Sequence, residues 1–441
     1  MLLNADRQKQ PVFEGVAPGR LDVMGGIADY SGALVLQMPI ANKTRVRFTP
    51  GFDYSCLLTS TLETGEVFQV ELDYRKLLKD GEVDYAFARQ LVNNDPKTAW
   101  AAYVVGCALV LEKEKKIHFT GGTFEITSGV PLGKGVSSSA SIEVATLKAL
   151  QKAYSLEFRN TELPVLAQRV ENLIVGAPCG LMDQLACYFG KPNHLLPILC
   201  QPDQVFDPLP IPDGISFVGI DSGVRHSVAG ASYSDVRCAT FMGYTLLLSA
   251  LGVNPEVIQL AKTTTTQNLP YGGYLTNIPL PEFEHRFLPQ LPQTVTGKDF
   301  INRCGASIDT VTEVDPHKHY PVRTCTSHPV YEHHRVQQFR DVLVQLADAN
   351  ARDRNQLITK LGNFMYESHE SYTRCGLGSD RTDELVTLAR SAPGVYGAKI
   401  TGGGNGGTVC FLVDEAGLES VKAMHRALSD QYQQKLVLFN T

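Results

Sequence analysis

The stretch "PLGKGVSSSA", residues 131–140, sets a lysine between two glycines and follows it with three serines. It differs from the common nucleotide loop, which closes on Gly-Lys-Ser/Thr at fixed spacing. Upstream, "GGTFEITSGV" (121–130) alternates like a half-buried strand, led in by Gly121 and Gly122. Downstream, "SASIEVATLKALQKAYS" carries Ile142, Ala145, Leu150 and Tyr154 at helical spacing. The loop therefore lies where a strand turns into a helix. A glycine-rich turn opening a helix presents backbone N–H groups, and the helix dipole adds about half a positive charge there. Ser137, Ser138 and Ser139 add hydroxyls able to reach phosphate oxygens or a Mg²⁺. The same residues would also serve as a tight turn with an N-cap serine.

Two other segments share this character. "APGRLDVMGGIADYSGALVLQMPI" (17–40) places Arg20, Asp22 and Asp29 amid glycines, and "KITGGGNGGTVCFLV" (399–413) has five glycines in six positions between two strand patterns. That many glycines cost backbone entropy, which points to close approach of a partner, with a sharp hairpin as the other reading.

The bulk composition narrows the function. A chain of 441 residues has room for two or three domains. Apolar content of 43% and charged content of 20% are those of a globular protein. A net charge of −6 offers no basic footprint for nucleic acid, and no run reaches the length of a membrane span. The opening "MLLNADRQKQPVFEG" lacks the layout of a signal peptide, and ten cysteines without a CxxC pair suit buried thiols. A cytoplasmic location is expected.

Strand patterns ("LVLQMPI", "TRVRFTP", "FQVEL", "ISFVGIDSG", "GVYGAKIT", "TVCFLVD") interleave with helical ones. The helical set includes "AWAAYVVGCALVLEKEKK", "TELPVLAQRVENLIV" begun by Thr161 as N-cap, "RCATFMGYTLLLSALG", "RVQQFRDVLVQLADA", "ITKLGNFMYESHESY", "TDELVTLARSA" and "LESVKAMHRALSDQYQQ". Residues 262–330 are poor in periodicity and read as a loop-heavy insertion within a domain. The order lacks a regular βαβ rhythm, so the fold class is α+β.

The three glycine-rich segments, in this order, resemble the three motifs of the GHMP small-molecule kinases. "GAPCGLMDQ" (176–184) and "YESHESY" (366–372) narrow the similarity to the galactokinase branch. "GRLDVMGGIADYSG", "ENLIVGAPCGLMDQ", "GIDSGVRHSV", "CGLGSDRTDELV" and "KITGGGNGGTVC" narrow it to the L-arabinokinase group. The resemblance runs from about Phe13 to Val413.

It implies a two-domain GHMP fold: a ribosomal-protein-S5-like domain over 1–204 and a ferredoxin-like domain over 205–441. It implies ATP held by the central loop, with Gly133, Lys134, Gly135, Val136, Ser137, Ser138, Ser139 and Ala140 around the phosphates, joined by Gly403 and Gly404. Ser138 and Glu171 match the Mg²⁺ ligands, a hydroxyl and a carboxylate suited to a hard cation. Trp100 aligns with an aromatic near adenine, although a lone tryptophan equally suits a core. Asp183 matches the catalytic aspartate and Arg20 the arginine paired with it.

Asp29, Gly180 and Tyr233 match sugar-site positions. Galactokinases read Gly-Glu-His-Thr-Asp-Tyr where this chain has Gly25-Gly26-Ile27-Ala28-Asp29-Tyr30. A pentose lacking the hydroxymethyl group would leave that glutamate and histidine buried and unpaired, at about 1–3 kcal/mol each. Gly26 and Ile27 therefore point to L-arabinose, and a glutamate at 26 is expected to shift preference toward galactose.

The implied activity is an ATP- and Mg²⁺-dependent sugar 1-kinase making β-L-arabinose 1-phosphate, in a monomer or homodimer. A galactokinase, a hexuronate 1-kinase with no new cation beside Gly26, and a non-catalytic sugar sensor are the alternatives. His317, His319, His328, His333 and His334 lie close in sequence without the spacing of a zinc site. In "RCGLGSDRTDELV", Asp380 or Thr382 is the expected helix cap.

Overall fold

The computed structural model describes residues 11–62, 65–177, 179–224 and 231–441. The chain's first ten residues and positions 225–228 of "GIDSGVRHSV" lie outside the described residues. Two compact units are present, each assembled from separated pieces of chain. One comprises the chain up to Gly19, Asn42–Pro131 and Ser138–Ala177; the other comprises Arg20–Ala41, Leu132–Ser137 and the remainder to Thr441.

Two strands contribute to both units: β1 (Phe13–Met24) and β2 (Leu34–Pro50). The patterns "LVLQMPI" and "TRVRFTP" prove to be one continuous strand. Its first seven residues are buried throughout, and its later part alternates exposed and buried. That change from two covered faces to one explains why the sequence reads as two separate runs.

In the first unit the later part of β2 pairs antiparallel with β5 (Gly122–Ser128), from Thr44 opposite Ser128 to Pro50 opposite Gly122. Beyond β5 lie β3 (Ser55–Leu62), parallel to it, and β4 (Val67–Asp73), antiparallel to β3. The unit's helices are α1 (Tyr85–Val92), α2 (Ala102–Lys115), α3 (Ser138–Ala153) and α4 (Glu162–Arg169). A π-turn, Val170–Val175, continues α4. Thr161 occupies the N-cap position of α4, but its side chain makes no capping bond.

In the second unit the first residues of β2 pair with β6 (His194–Leu199), which follows α5 (Met182–Phe189). β6 also carries β7 (Gln204–Val205) and β8 (Leu209–Pro210). A four-stranded antiparallel sheet runs β12 (Val395–Ile400), β13 (Thr408–Val413), β9 (Ser216–Asp221) and β14 (Leu438–Phe439); β10 (Val295–Thr296) and β11 (His319–Tyr320) form a small hairpin. All six residues of β13 are buried, as its unbroken apolar run requires.

The unit's remaining helices begin with α6 (Ala231–Ala250), α7 (Pro255–Thr263), α8 (Leu280–Glu282) and α9 (Gly297–Cys304). They end with α10 (Val322–Ala347), α11 (Ala351–Arg374), α12 (Asp380–Ala389) and α13 (Glu415–Tyr432).

The region 262–330 is an insertion packed into this unit. Leu269, Leu275, Phe283, Phe287 and Phe300 join one core cluster with Tyr244 and Met242 of α6. It holds more helix than the sequence suggests, and α10 starts at Val322 rather than near Arg335. Pro329 hides this start, because it removes the hydrogen bond that the Cys325 carbonyl would accept. That carbonyl instead accepts the Thr240 hydroxyl at 3.0 Å. The cap of α12 is Ser379, closing a capping box with Thr382, so Asp380 is the first helical residue and not the cap. All ten cysteines are free; nine are buried and Cys179 is half-buried. No helix among the described residues is long and apolar enough to cross a membrane.

Candidate functional site

The loop 132–137 is shaped by its carbonyls. Lys134 O accepts the Thr408 hydroxyl at 2.8 Å, Gly135 O accepts Arg20 Nη1 at 2.6 Å, and Val136 O accepts the Arg20 amide at 3.1 Å. In a planar trans peptide the N–H points opposite to the C=O. Three consecutive carbonyls turned inward therefore turn the amides of Gly135, Val136 and Ser137 outward, an arrangement whose chemistry suits an anion. Gly133 and Gly135 supply left-handed backbone at φ 69° and 71°, and Ser137 adopts φ 59° although it has a side chain. The Ser137 hydroxyl is buried and finds no hydrogen-bond partner among the described residues. An orphaned donor, strained backbone and outward amides together fit a polyphosphate. Ser138, Ser139 and Ala140 form the first turn of α3.

The turn 402–407 lies against this loop. A Cβ on Gly402 would stand 3.1 Å from Gly135 O, and one on Gly135 would stand 3.4 Å from Thr401 O. Gly404, at φ 81°, has no room for a side chain, since a Cβ would meet Leu377 at 2.7 Å. Gly403 beside it is half-buried. The structure thus brings together all three glycine-rich segments, since Arg20 of the first bonds the Gly135 and Val136 carbonyls of the second. Lys134 is engaged by Asp221, with Nζ 2.6 Å from a carboxylate that is fully buried.

Arg20 and Asp183, 163 residues apart, meet in the same unit. Arg20 Nε and Nη2 donate to Asp183 Oδ1 at 3.0 and 2.9 Å. Burial works against the Arg20 charge, but Asp183 and then Asp22 outweigh it, and the guanidinium pKa is raised. Asp29 stands nearby on the turn Gly26–Ser31, with Oδ1 accepting the Tyr30 amide at 2.7 Å. Burial, and next the charge of Asp183, push the Asp29 carboxyl up to about 7, against a lowering effect of Arg237. A Cβ on Gly180 would lie 1.8 Å from Asp29 Oδ2, so only glycine fits there. Tyr233, in the first turn of α6, is buried and packs edge-on against Tyr30, with ring centroids 6.4 Å apart.

Positions 26 and 27 are both closely packed. Gly26 has φ 41°, and a Cβ there would lie 1.4 Å from Tyr372 Oη. Ile27 is buried in the core cluster that contains Tyr372. The glutamate exchange at 26 therefore cannot be made alone, because a tyrosine hydroxyl already fills its place.

Beneath this turn Asp22 meets a buried lysine, and a second ion pair lies close by, neither of which the sequence reveals. Lys399 Nζ reaches Asp22 Oδ2 at 2.8 Å, and neither side chain is exposed. Burial opposes the Asp22 charge, Lys399 outweighs it, and the pKa is lowered. Asp22 Oδ1 accepts Gln37 Nε2 and the Gly26 amide, and the Asp22 amide donates to Thr401 Oγ1 at 2.7 Å. Buried Glu332 accepts the Gly25 amide and the Ser368 hydroxyl, and pairs with Arg335. A cation thus does come near Gly26 in space, but it is neutralised by Asp22. Of the clustered histidines, His328 bonds Ser371, and His333 accepts the Leu34 amide at 2.8 Å.

Ser138 and Glu171 belong to the other unit, Ser138 opening α3 and Glu171 buried on the π-turn after α4. A hydroxyl and a carboxylate are a donor set that fits Mg²⁺. Trp100 is half-buried on a short turn before α2, and its indole N–H has no partner among the described residues.

Comparison with known proteins places the chain. The model of the GHMP kinase N-terminal domain matches residues 102–191, and that of the GHMP kinase C-terminal domain matches residues 347–432. The L-arabinokinase of Arabidopsis thaliana is 37% identical over 97% of this chain, which spans only 45% of that relative's length. The galactokinase of Chloroflexus aggregans is 30% identical, covering 92% of this chain and 85% of the relative. Lactococcus lactis galactokinase, solved with galactose, has a similar fold: TM-score 0.69 at 20% identity, over 98% of this chain and 93% of the other. Methanococcus jannaschii mevalonate kinase gives a TM-score of 0.55 at 15% identity, over 98% of both chains. With both domain models matched in order and a relative aligned along most of its own length, the chain belongs to the GHMP kinase family.

Proposed function

We propose that this chain is a sugar 1-kinase that transfers the γ-phosphoryl group of ATP to the anomeric hydroxyl of L-arabinose. The observation that carries this reading is the Arg20–Asp183 pair, tied through Arg20 Nη1 to the loop carbonyl of Gly135. One arginine thereby sets the position of both the candidate base and the candidate phosphate cradle. Asp183 would take the anomeric proton as that oxygen bonds to phosphorus, while the bond from phosphorus to the ADP oxygen breaks. Arg20 would balance charge on the transferring group, and the outward amides of 135–137 would hold the remaining phosphates. Ser138 and Glu171 would hold Mg²⁺, which neutralises phosphate charge when bound. Asp29, with Gly180 leaving room beside it, would accept sugar hydroxyls.

The choice of L-arabinose rests on the similarity to the Arabidopsis L-arabinokinase. Among the described residues, the lysine near Gly26 is paired with Asp22 and is not free for a hexuronate carboxylate. ADP release should be measured with L-arabinose, D-galactose, D-galacturonate, D-glucuronate, homoserine and mevalonate. L-Arabinose is expected to give the highest kcat/KM. A lead for galactose would make the protein a galactokinase, and absence of turnover with every sugar would favour a sensor.

The Asp29 pKa of about 7 gives this reading a pH signature. If the carboxylate form binds sugar, kcat/KM should rise as pH increases through about 7 and level off above it. Stability should move the opposite way. The folded state holds the Asp29 proton up to about 7, whereas an unfolded aspartate releases it near pH 4. This residue's contribution to stability is thus fully present below about pH 4 and is lost as pH rises toward 7. Asp29→Asn should flatten both trends, and unchanged profiles would remove Asp29 from the sugar site.

A further inference from the structure

Tyr372, near the end of α11, is fully buried, and its hydroxyl joins two segments given separate tasks above. It accepts the Ile27 amide at 2.8 Å, in the turn that carries Asp29. It donates to the carbonyl of Gly402 at 3.0 Å, at the start of the turn packed against the phosphate loop. The ring is held firmly. His328 meets it edge-on with centroids 5.2 Å apart, and Lys399 Nζ lies 5.4 Å from its centroid. The backbone around the hydroxyl is specialised to admit it. Gly26 and Gly402 adopt φ 41° and 71°, and any side chain at 26 would displace the oxygen. Both groups it satisfies are backbone atoms, so neither turn can shift without breaking a buried hydrogen bond.

We infer that the Tyr372 hydroxyl is a latch that couples the sugar turn to the nucleotide turn. It is a positioning residue that touches neither reactant. The inference rests on the kinase reading above, and it adds that occupancy of one site alters affinity at the other. Such coupling is reciprocal and amounts to about fivefold or more when a two-position element links the sites. The rest of the network would hold the fold without it, since Asp22, Lys399 and Thr401 tie the same strands independently.

The test is calorimetric. ADP affinity is measured with and without saturating L-arabinose, for the wild type and for Tyr372→Phe, which keeps the ring and removes the oxygen. The wild type should bind ADP at least about fivefold more tightly with sugar present. In Tyr372→Phe that factor should fall close to one, while ADP affinity in the absence of sugar stays within about threefold of the wild type. Retention of the coupling factor in the variant would overturn the latch. A wild type that binds the two ligands independently would overturn it too, leaving the kinase reading intact. Failure to bind ADP at all would overturn both. Hydrogen exchange in the wild type alone supplies a readout that needs no variant. ADP should slow exchange at the Ile27 amide, and an unchanged rate would count against the latch.

Discussion

Replacing Asp183 with asparagine is expected to lower kcat by about 10²–10⁴-fold and to leave ADP affinity close to that of the wild type. The geometry makes this a clean substitution. Both hydrogen bonds from Arg20 end on Oδ1, and an asparagine carbonyl oxygen can accept them unchanged. The amide nitrogen then takes the place of Oδ2, the oxygen to which the proposed reaction brings the incoming hydroxyl. An amide at that point donates where a carboxylate would accept, so the proton has no acceptor while the arginine, loop and turn keep their positions. Turnover with L-arabinose and calorimetry with ADP, run on the same preparation, separate loss of the base from loss of binding. An unaltered kcat would remove Asp183 from the chemistry. A loss of ADP affinity as large as the loss of rate would mean that Asp183 shapes the loop instead.

Lys399→Met should destabilise the fold by about 3–5 kcal/mol at pH 7, read as a lower urea midpoint. The lysine and Asp22 are both fully buried, so removing the lysine leaves a buried carboxylate with only the weaker influence of Arg20, itself paired with Asp183, to offset its charge. Gln37 and the Gly26 amide remain to solvate the carboxylate, but neither carries charge. Asp22→Asn combined with Lys399→Met removes both charges and should recover much of the loss. The sign of the pH response follows from the lowered Asp22 pKa. Its stabilising effect is present above the ordinary aspartate pKa, near 4, and is lost as pH falls through the lower folded value. The penalty of the single variant should accordingly shrink in acid. Equal midpoints for the single and double variants would show that the pair contributes nothing beyond packing.

Much of the fold was legible because it is written locally. The strand at 122–128, the loop at 131–137 and the helix from Ser138 follow from alternation, glycine placement and apolar spacing over about thirty residues. Arg20 and Asp29 were legible as polar residues in a glycine-rich segment, where bulky core packing is unavailable, and Asp183 only through the resemblance of "GAPCGLMDQ" to a family block. What escaped depends on distant partners. No local rule says that Pro329 can sit inside a helix, because Thr240, 89 positions earlier, supplies the missing hydrogen bond to the Cys325 carbonyl. Likewise "YESHESY" marks Tyr372 as part of a family block, but only the folded chain reveals that its oxygen fills the space of a side chain at Gly26. The Lys399–Asp22 pair spans 377 residues, and its sole sequence signal is an ionisable residue shortly before each of two glycine clusters. The Ser379 cap is hidden in the sequence because Asp380 directly after it is an equally good capping residue.

The threading of the chain through its two units has a consequence for how the protein can be made and divided. The passages at Gly19, Ala41, Pro131, Ser137 and Ala177 mean that no continuous stretch of the gene encodes either unit. During synthesis Arg20 leaves the ribosome long before Asp183, so the pair cannot close until at least 163 further residues have been added. Such late, long-distance closure slows folding and prolongs exposure of buried surface. No single cut would therefore release either unit free of residues of the other, and a fragment-complementation design would have to cut within a surface loop instead of between units.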